Sequence, residues 1–243
     1  MDQISYRLDK PQHQAQPLVV VQNNQKTAAT YPSADPRERY ADSAIHVVSL
    51  VFAIVFCTWM MVGVAHELEV KLMVACAIYC LGVMFSFTTS AGYHLLPFHQ
   101  WRRLLRRLDH IAIYVLIAGT FTPLLVHIGT SWSYGVLAAV WIFAFPAMAY
   151  KLFGSVIEPR WSLASYLGLG WMGLLALPDF NAHLSSTAVI AALAGGLTYT
   201  FGTYFYAKEV QKYRYAIWHS FVFVGTAFFF FSVWITIFAQ PNV

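Results

Sequence analysis

Residues 90–123 read SAGYHLLPFHQWRRLLRRLDHIAIYVLIAGTFTP, and they connect the end of one apolar segment to the start of the next. The first segment ends with Ser90 and His94, four arginines follow, and Asp109 and His110 open the second segment. Ionisable residues at the ends of membrane-spanning segments are costly to place there and indicate a functional site. This stretch therefore predicts two membrane spans with a polar site where their ends meet.

The composition is typical of an integral membrane protein. Of the 243 residues, 58% are apolar and only 11% are charged, which is outside the usual range of soluble domains. Seven apolar segments have the length that crosses a hydrocarbon core, and they cover residues 43–64, 72–95, 110–127, 133–153, 162–177, 186–206 and 216–238. The predicted fold is an all-α membrane protein, a bundle of seven transmembrane helices. Residues 1–37 are predicted to form a mobile polar arm, and residues 38–243 the transmembrane domain.

The positions of the basic residues predict the orientation of this bundle. With the N-terminus in the cytoplasm, 14 of the 15 Lys and Arg residues lie on the cytoplasmic side, and only Lys71 lies outside. Cytoplasmic loops are enriched in these residues, so we expect the C-terminus to lie outside. The net charge of +4 then reflects topology and does not indicate a nucleic-acid partner. The loop that carries Arg102, Arg103, Arg106 and Arg107 is expected to contact anionic headgroups, which makes membrane lipids the expected partners.

Five ionisable residues from four predicted helices fall at one depth near the cytoplasmic ends. They are His46, His94, Asp109, His110 and His219. Imidazole groups from different helices, with a carboxylate beside them, are the groups that a buried zinc site needs. The alternative is a hydrogen-bonded cluster that only ties the helices together.

Residues spaced four apart in this layer share a helix face. Such pairs are Glu38 with Asp42, Asp42 with His46, Ser90 with His94, and Tyr215 with His219. Small residues cluster in the fifth and sixth segments, where they predict close helix packing. They are Gly168, Gly170, Gly173, Gly195, Gly196 and Gly202.

Three separated blocks of sequence make the chain recognisable. They are ERYADSAIH at residues 38–46, the S-x-x-x-H at Ser90 and His94 followed by LDH at 108–110, and AIWH at 216–219. Together they resemble the hemolysin III family, the bacterial branch of the progestin and adipoQ receptor superfamily, over about residues 38–238. The resemblance implies a seven-helix protein of a bacterial inner (plasma) membrane, with zinc near the cytoplasmic side.

The resemblance also implies roles for individual residues. His94 and His219 match two of the three zinc ligands of the family, and Ser90 and Asp109 match the residues that lie close to the metal-bound water. Tyr215 stands where the family has the third histidine ligand. Because a phenol is a poor ligand unless the metal lowers its pKa, Asp109, His46 or His110 is a candidate to complete the ligand set.

Three functions remain open at this stage. The first is a zinc-dependent hydrolase of lipid amides or esters, with Asp109 as general base and Ser90 as a hydrogen-bond donor to the water or the oxyanion. The second is a non-enzymatic membrane regulator or receptor-like protein whose polar cluster senses lipid or carries a structural metal. The third, cytolytic pore formation, is disfavoured because the ionisable groups lie at one depth and do not line a path across the membrane.

Overall fold

The structure is a computed structural model that describes residues 32–33, 35–67, 69–96, 100–154, 159–208 and 210–238. Over these ranges the chain is helical and contains no β-strand. Most of the predicted N-terminal arm, residues 1–31, lies outside the described residues, and the first helix begins at Pro36. The domain boundary that we predict at residue 37 therefore stays a prediction.

Eight α-helices follow one another along the described chain. They are α1 (Pro36–Glu67), α2 (Val70–Leu95), α3 (Arg102–Ile128), α4 (Ser131–Phe153), α5 (Pro159–Trp171), α6 (Leu177–His183), α7 (Ser186–Ala207) and α8 (Arg214–Phe238). A 3-10 segment, Met172–Ala176, joins α5 to α6, and together these three form one span. The described residues thus contain seven helical units long and apolar enough to cross a membrane, which confirms the predicted seven-span helical bundle.

Local sequence signals fix several helix ends. The Thr130 side chain caps α4 by accepting a hydrogen bond from the Ser133 amide at 2.9 Å, and Ser185 caps α7 in the same way. Gly129 ends α3 in the left-handed conformation, with φ of 70°, which a residue without a Cβ adopts at little cost.

The four arginines that we predicted in a loop lie instead in the first turns of α3. This helix begins at Arg102, eight residues before the predicted start of the span at His110. The prediction was wrong because hydropathy detects only the apolar part of a helix. Arginine is a good helix former, so the helix can extend beyond its apolar part into the polar headgroup region. The consequence is that the arginines have fixed and different directions around α3.

The fifth span also differs from its predicted form. We expected the span to cover residues 162–177, but α5 passes into the 3-10 segment and then into α6, which ends at His183. Pro178 lies at the start of α6, where its missing N–H does no harm.

Helix α3 occupies the centre of the bundle and is the most deeply buried of the seven spans. It packs against α2, α4, α5 and α8, while α1 packs against both α2 and α8 and so closes the bundle. The aromatic side chains of Tyr79 and Tyr114 fill the interior. This arrangement brings the starts of α1, α3 and α8 and the end of α2 together at one end of the molecule, which we call the basic end because α3 starts there with its arginines.

Candidate metal centre

Three helices bring one carboxylate and three imidazole groups together at the basic end. Asp42 and His46 lie on α1, His94 lies in the last turn of α2, and His219 lies near the start of α8. All four residues are buried, with exposed fractions between 3% and 8%. One ligand atom from each residue lies within 4.8 Å of the others. This group, the Asp42 cluster, could hold a metal ion.

Asp42 is the hub of the cluster. Its Oδ2 accepts a hydrogen bond from His94 Nδ1 at 2.7 Å, and its Oδ1 accepts one from His219 Nδ1 at 2.6 Å. A shared carboxylate that binds both Nδ1 atoms fixes the tautomer and the ring orientation of both histidines. One side chain of α1 therefore orients one imidazole of α2 and one of α8.

His46 completes the cluster from the same helix face as Asp42. Its Nε2 lies 3.6 Å from Asp42 Oδ1 and has no hydrogen-bond partner among the described residues. Its ring contacts the rings of His219 and His94, with centroids 4.3 and 5.2 Å apart. A buried polar atom without a partner costs about 1–3 kcal/mol, and a bound metal ion would give this nitrogen a partner.

The donor atoms of the Asp42 cluster suit a metal of the zinc type. Neutral imidazole nitrogen and carboxylate oxygen are both zinc ligands, and catalytic sites use three protein ligands and leave one position open. Asp42 can serve as a ligand itself or as the acceptor that orients His94 and His219. In both arrangements His46 Nε2, which has no hydrogen-bond partner among the described residues, would be the third imidazole ligand.

A cavity of about 380 Å³ lies beside the cluster. Its wall includes His46, His94 and His219, as well as the two residues that we predicted as catalytic, Ser90 and Asp109. Ser90 Oγ lies 3.4 Å from His219 Nε2, so the nitrogen that is not bound to Asp42 is the one next to Ser90. The residues predicted as catalytic and the histidines predicted as metal ligands, His94 and His219, thus line the same cavity.

Two of the predicted polar residues lie apart from the Asp42 cluster. His110 lines the cavity from α3, and its Nδ1 lies 3.0 Å from the Tyr166 hydroxyl on α5. Glu38 accepts hydrogen bonds from Ser33 Oγ at 2.6 Å and from the Tyr213 amide at 3.1 Å. Glu38 therefore connects the start of α1 to the start of α8 and takes no part in the cluster.

Tyr215 lies beside the cluster. Its ring meets the His94 ring edge to face, with centroids 5.2 Å apart. Its hydroxyl accepts a hydrogen bond from the Arg214 guanidinium at 3.3 Å. Its role as a ligand stays a prediction.

A second polar group next to the cavity has no counterpart in our sequence analysis. The Lys151 ammonium on α4 donates to Ser162 Oγ on α5, and the hydroxyl groups of Tyr114 and Ser165 lie 2.6 Å apart. Lys151 is buried. In the sequence, a single lysine at the end of an apolar segment indicates only the orientation of that segment in the membrane. No signal in the sequence predicts that these side chains meet across α3, α4 and α5.

Comparison with known proteins identifies the family. Residues 38–230 match the family model described as Haemolysin-III related. The chain is 30% identical over 201 residues to the Hemolysin-3 homolog of Bacillus subtilis (strain 168), covering 81% of this chain and 93% of that protein. It is 28% identical to Hemolysin-3 of Bacillus cereus over 81% of this chain and 90% of that protein.

A more distant relative comes from an animal. The Monocyte to macrophage differentiation factor of Homo sapiens is 26% identical over 180 residues, which cover 68% of this chain and 71% of that protein. The seven spans, the polar blocks that build the Asp42 cluster and the family match all fall in the same part of the chain. The chain belongs to the haemolysin-III-related family of integral membrane proteins.

Proposed function

We propose that the protein is a zinc-dependent hydrolase that cleaves an amide or ester bond of a membrane lipid. The observation that carries this proposal is the common cavity, because its wall combines metal-type ligands with a separate carboxylate and a hydroxyl group. Zinc-type ligands alone would suit a structural site, whereas an adjacent base and an oxyanion donor are features of hydrolases.

The residues of the cavity can be assigned to the steps of hydrolysis. When bound, a zinc ion would lower the pKa of a water molecule and polarise the substrate carbonyl. Asp109 accepts the proton of the attacking water while the new bond between oxygen and carbon forms. Ser90 donates a hydrogen bond to the oxyanion. Asp109 then returns the proton to the leaving amine or alkoxide as the old bond breaks, so the reaction consumes one water and leaves Asp109 unchanged.

The location of the cavity supports a lipid substrate. By the distribution of Lys and Arg, the basic end faces the cytoplasm, so the cavity lies at the level of the inner leaflet of a bacterial inner membrane. A substrate can then enter from the bilayer and place its polar linkage at the depth of the Asp42 cluster. This depth suits the linkage between headgroup and acyl chain.

The test is turnover by purified, reconstituted protein loaded with zinc, using a set of lipid amides and lipid esters. Asp109→Asn and Ser90→Ala should each lower turnover by about 100-fold or more, because one loses the general base and the other an oxyanion donor. Metal content, measured on the same samples, should stay unchanged in Ser90→Ala. Asp35→Asn is the matched control, since Asp35 is exposed and, among the described residues, its side chain accepts a hydrogen bond from the Arg37 amide, which asparagine can also accept. Equal turnover of Asp109→Asn and the wild type would overturn the assignment.

A second candidate is a regulator that binds metal or lipid without turnover. It is favoured by the hydrogen bonds of Asp42 to His94 and His219, which hold three helices together without a metal, and by Tyr215 in place of a histidine. The same experiment separates the two, because a regulator would bind metal and show no cleavage of any lipid in the set. Release of dye from vesicles by the purified protein would instead support the cytolytic activity that the relatives' names suggest.

A further inference from the structure

The four arginines at the start of α3 have different surroundings. Arg102 is buried, donates to the Tyr93 carbonyl at 3.1 Å and covers the Tyr93 ring. Arg107 donates to the carbonyls of Leu152 and Gly154 at the end of α4, where a cation is favourable. Arg103 is exposed and lies away from the cavity. Arg102 and Arg107 therefore serve the fold.

Arg106 differs from the other three because it lines the cavity. Its side chain makes no hydrogen bond or ion pair with any residue that the structure describes. Asp109, His110 and Ile113 lie on the same side of α3 and line the same cavity, as expected for residues three, four and seven positions further along a helix. Arg106 thus presents a guanidinium group at the mouth of the cavity, one turn outside Asp109.

A second arginine, on α8, lines the same cavity. Arg214, the first residue of α8, lies over the rings of Tyr206 and Tyr215, with distances of 5.1 and 4.9 Å to their centroids. Within the described ranges, its one hydrogen bond goes to the Tyr215 hydroxyl. The two rings fix the direction of the guanidinium, and such stacking leaves its other N–H groups available to an acceptor.

We propose that Arg106 and Arg214 form a subsite for the phosphate group of an anionic lipid. Guanidinium groups match the geometry of phosphate oxygens and bind them through paired, charge-assisted hydrogen bonds. Of the carboxylates near the cavity, Asp109 lines its wall, Asp42 is bound to His94 and His219, and Glu38 is bound to the Tyr213 amide, so none of the described hydrogen bonds or ion pairs neutralises the two guanidinium groups. A zwitterionic headgroup would bring its own cation to this mouth and bind less well.

The position of the subsite matches the lipid that the proposed function requires. Arg214 lies five residues before His219 on α8, a distance of about 7.5 Å along the helix axis. A glycerophospholipid carries its ester carbonyls a few bonds from the phosphate, so a phosphate at the mouth would place an ester near the Asp42 cluster. This step rests on the proposed function; the binding of the phosphate group does not.

A neighbouring cavity has the apolar wall that an acyl chain needs. A second, apolar cavity of about 130 Å³ shares Ser86, Tyr166 and Trp218 with the first. The two adjacent cavities therefore offer guanidinium groups, polar side chains and an apolar wall. An amphiphile with an anionic phosphate head fits this set of surfaces.

The test compares two single-chain lipids that differ only in headgroup, lysophosphatidylglycerol and lysophosphatidylcholine. Binding is measured by tryptophan fluorescence on purified protein in a non-ionic detergent with a chelator present, because Trp218 lines both cavities. Both lipids offer the same phosphate oxygens, and we expect the anionic lipid to bind at least about tenfold more tightly, since the two guanidinium groups repel the choline cation of the other headgroup. Arg106→Gln and Arg214→Gln should each remove most of this preference, and Arg103→Gln, on the same helix, should keep it.

Each other outcome overturns the proposal. Equal affinity for the two lipids would exclude a subsite that selects an anionic lipid, and an equal loss in Arg103→Gln would assign the preference to general surface charge. Inorganic phosphate that competes at the same concentration as the lipid would show that the ligand is a soluble phosphate. Because Arg106 is exposed, Arg106→Gln keeps the fold and tests the subsite even if Arg214→Gln does not fold. The chelator makes the result independent of metal binding and of turnover.

Discussion

Asp42 connects three helices through one carboxylate, because it lies on α1 and accepts hydrogen bonds from imidazoles of α2 and α8. Asp42→Asn keeps one acceptor oxygen but places an amide NH2 against the second Nδ1–H. Hydrogen bonds to charged groups contribute about 1.5–3 kcal/mol each, so we expect the free energy of unfolding to fall by about 2 kcal/mol. Zinc affinity should fall by about 10- to 100-fold. Chemical denaturation and zinc titration measure the two effects, with Asp35→Asn as control.

A substitution of Tyr215 tests whether this residue lies within the coordination sphere of the metal. Its ring lies against His94, so Tyr215→His would place a fourth imidazole beside the cluster. We expect zinc to bind at least about tenfold more tightly, since imidazole is a far better ligand than a neutral phenol. Tyr206→His is the matched control, because Tyr206 also lines the cavity and also lies under Arg214. Unchanged affinity in Tyr215→His would place residue 215 outside the coordination sphere.

Depth in the membrane can be predicted from sequence, but the direction of a side chain around its helix is harder to predict. Each residue adds a fixed rise along the axis, which is why His46, His94 and His219 were expected at one level. Which carboxylate meets them depends on the rotation and packing of α1, α2 and α8. We expected Asp109 beside the imidazoles, and the structure puts Asp42 among them and Asp109 in the cavity wall. The pairing of Lys151 with Ser162 depends on packing in the same way.

At the scale of helices, adjacent glycines of α7 provide a controlled test of close packing. A Cβ at Gly195 would lie 2.8 Å from the Phe229 ring and 3.2 Å from the Gly225 carbonyl oxygen of α8, whereas a Cβ at Gly196 would meet nothing within 4 Å. Gly195→Ala should destabilise the protein by about 1–3 kcal/mol, because the α8 backbone must move. Gly196→Ala should be neutral or stabilising by up to about 1 kcal/mol, because alanine favours helix. Thermal unfolding of both variants checks the difference, and equal effects would contradict this packing.

The six glycines also show what the sequence predicts about helices and what it does not. Gly173, Gly195 and Gly202 pack closely against aromatic side chains, as expected from small residues in spans. Gly168, Gly170 and Gly196 face open space, and two of these, Gly170 and Gly196, line the apolar cavity. Hydropathy predicts that a segment is a helix, but a glycine that permits contact and one that leaves a cavity look alike in sequence. The early start of α3 is missed for a related reason, since hydropathy does not detect a polar helix end.

At the scale of the whole bundle, the Asp42 cluster lies where the first and last helices meet. Helix α1 packs against α2 and α8, and each of these three helices contributes to the cluster. A metal bound there would join the two ends of the described chain. Because a ligand that binds only the folded state stabilises it by mass action, metal binding should be visible in global stability as well as in local coordination.

We therefore expect zinc to raise the thermal midpoint of the metal-free protein. Free zinc at about 100 times its dissociation constant would contribute about 2.7 kcal/mol, a shift of several degrees for a chain of this size. Mg²⁺ should give no comparable shift, because it prefers oxygen ligands and retains its water. His219→Gln should abolish the zinc effect, since it removes one of three imidazoles from the cluster. If zinc stabilised this variant as much as the wild type, the ion would be bound elsewhere, and α1 and α8 would be held together by the Asp42 hydrogen bonds and packing alone.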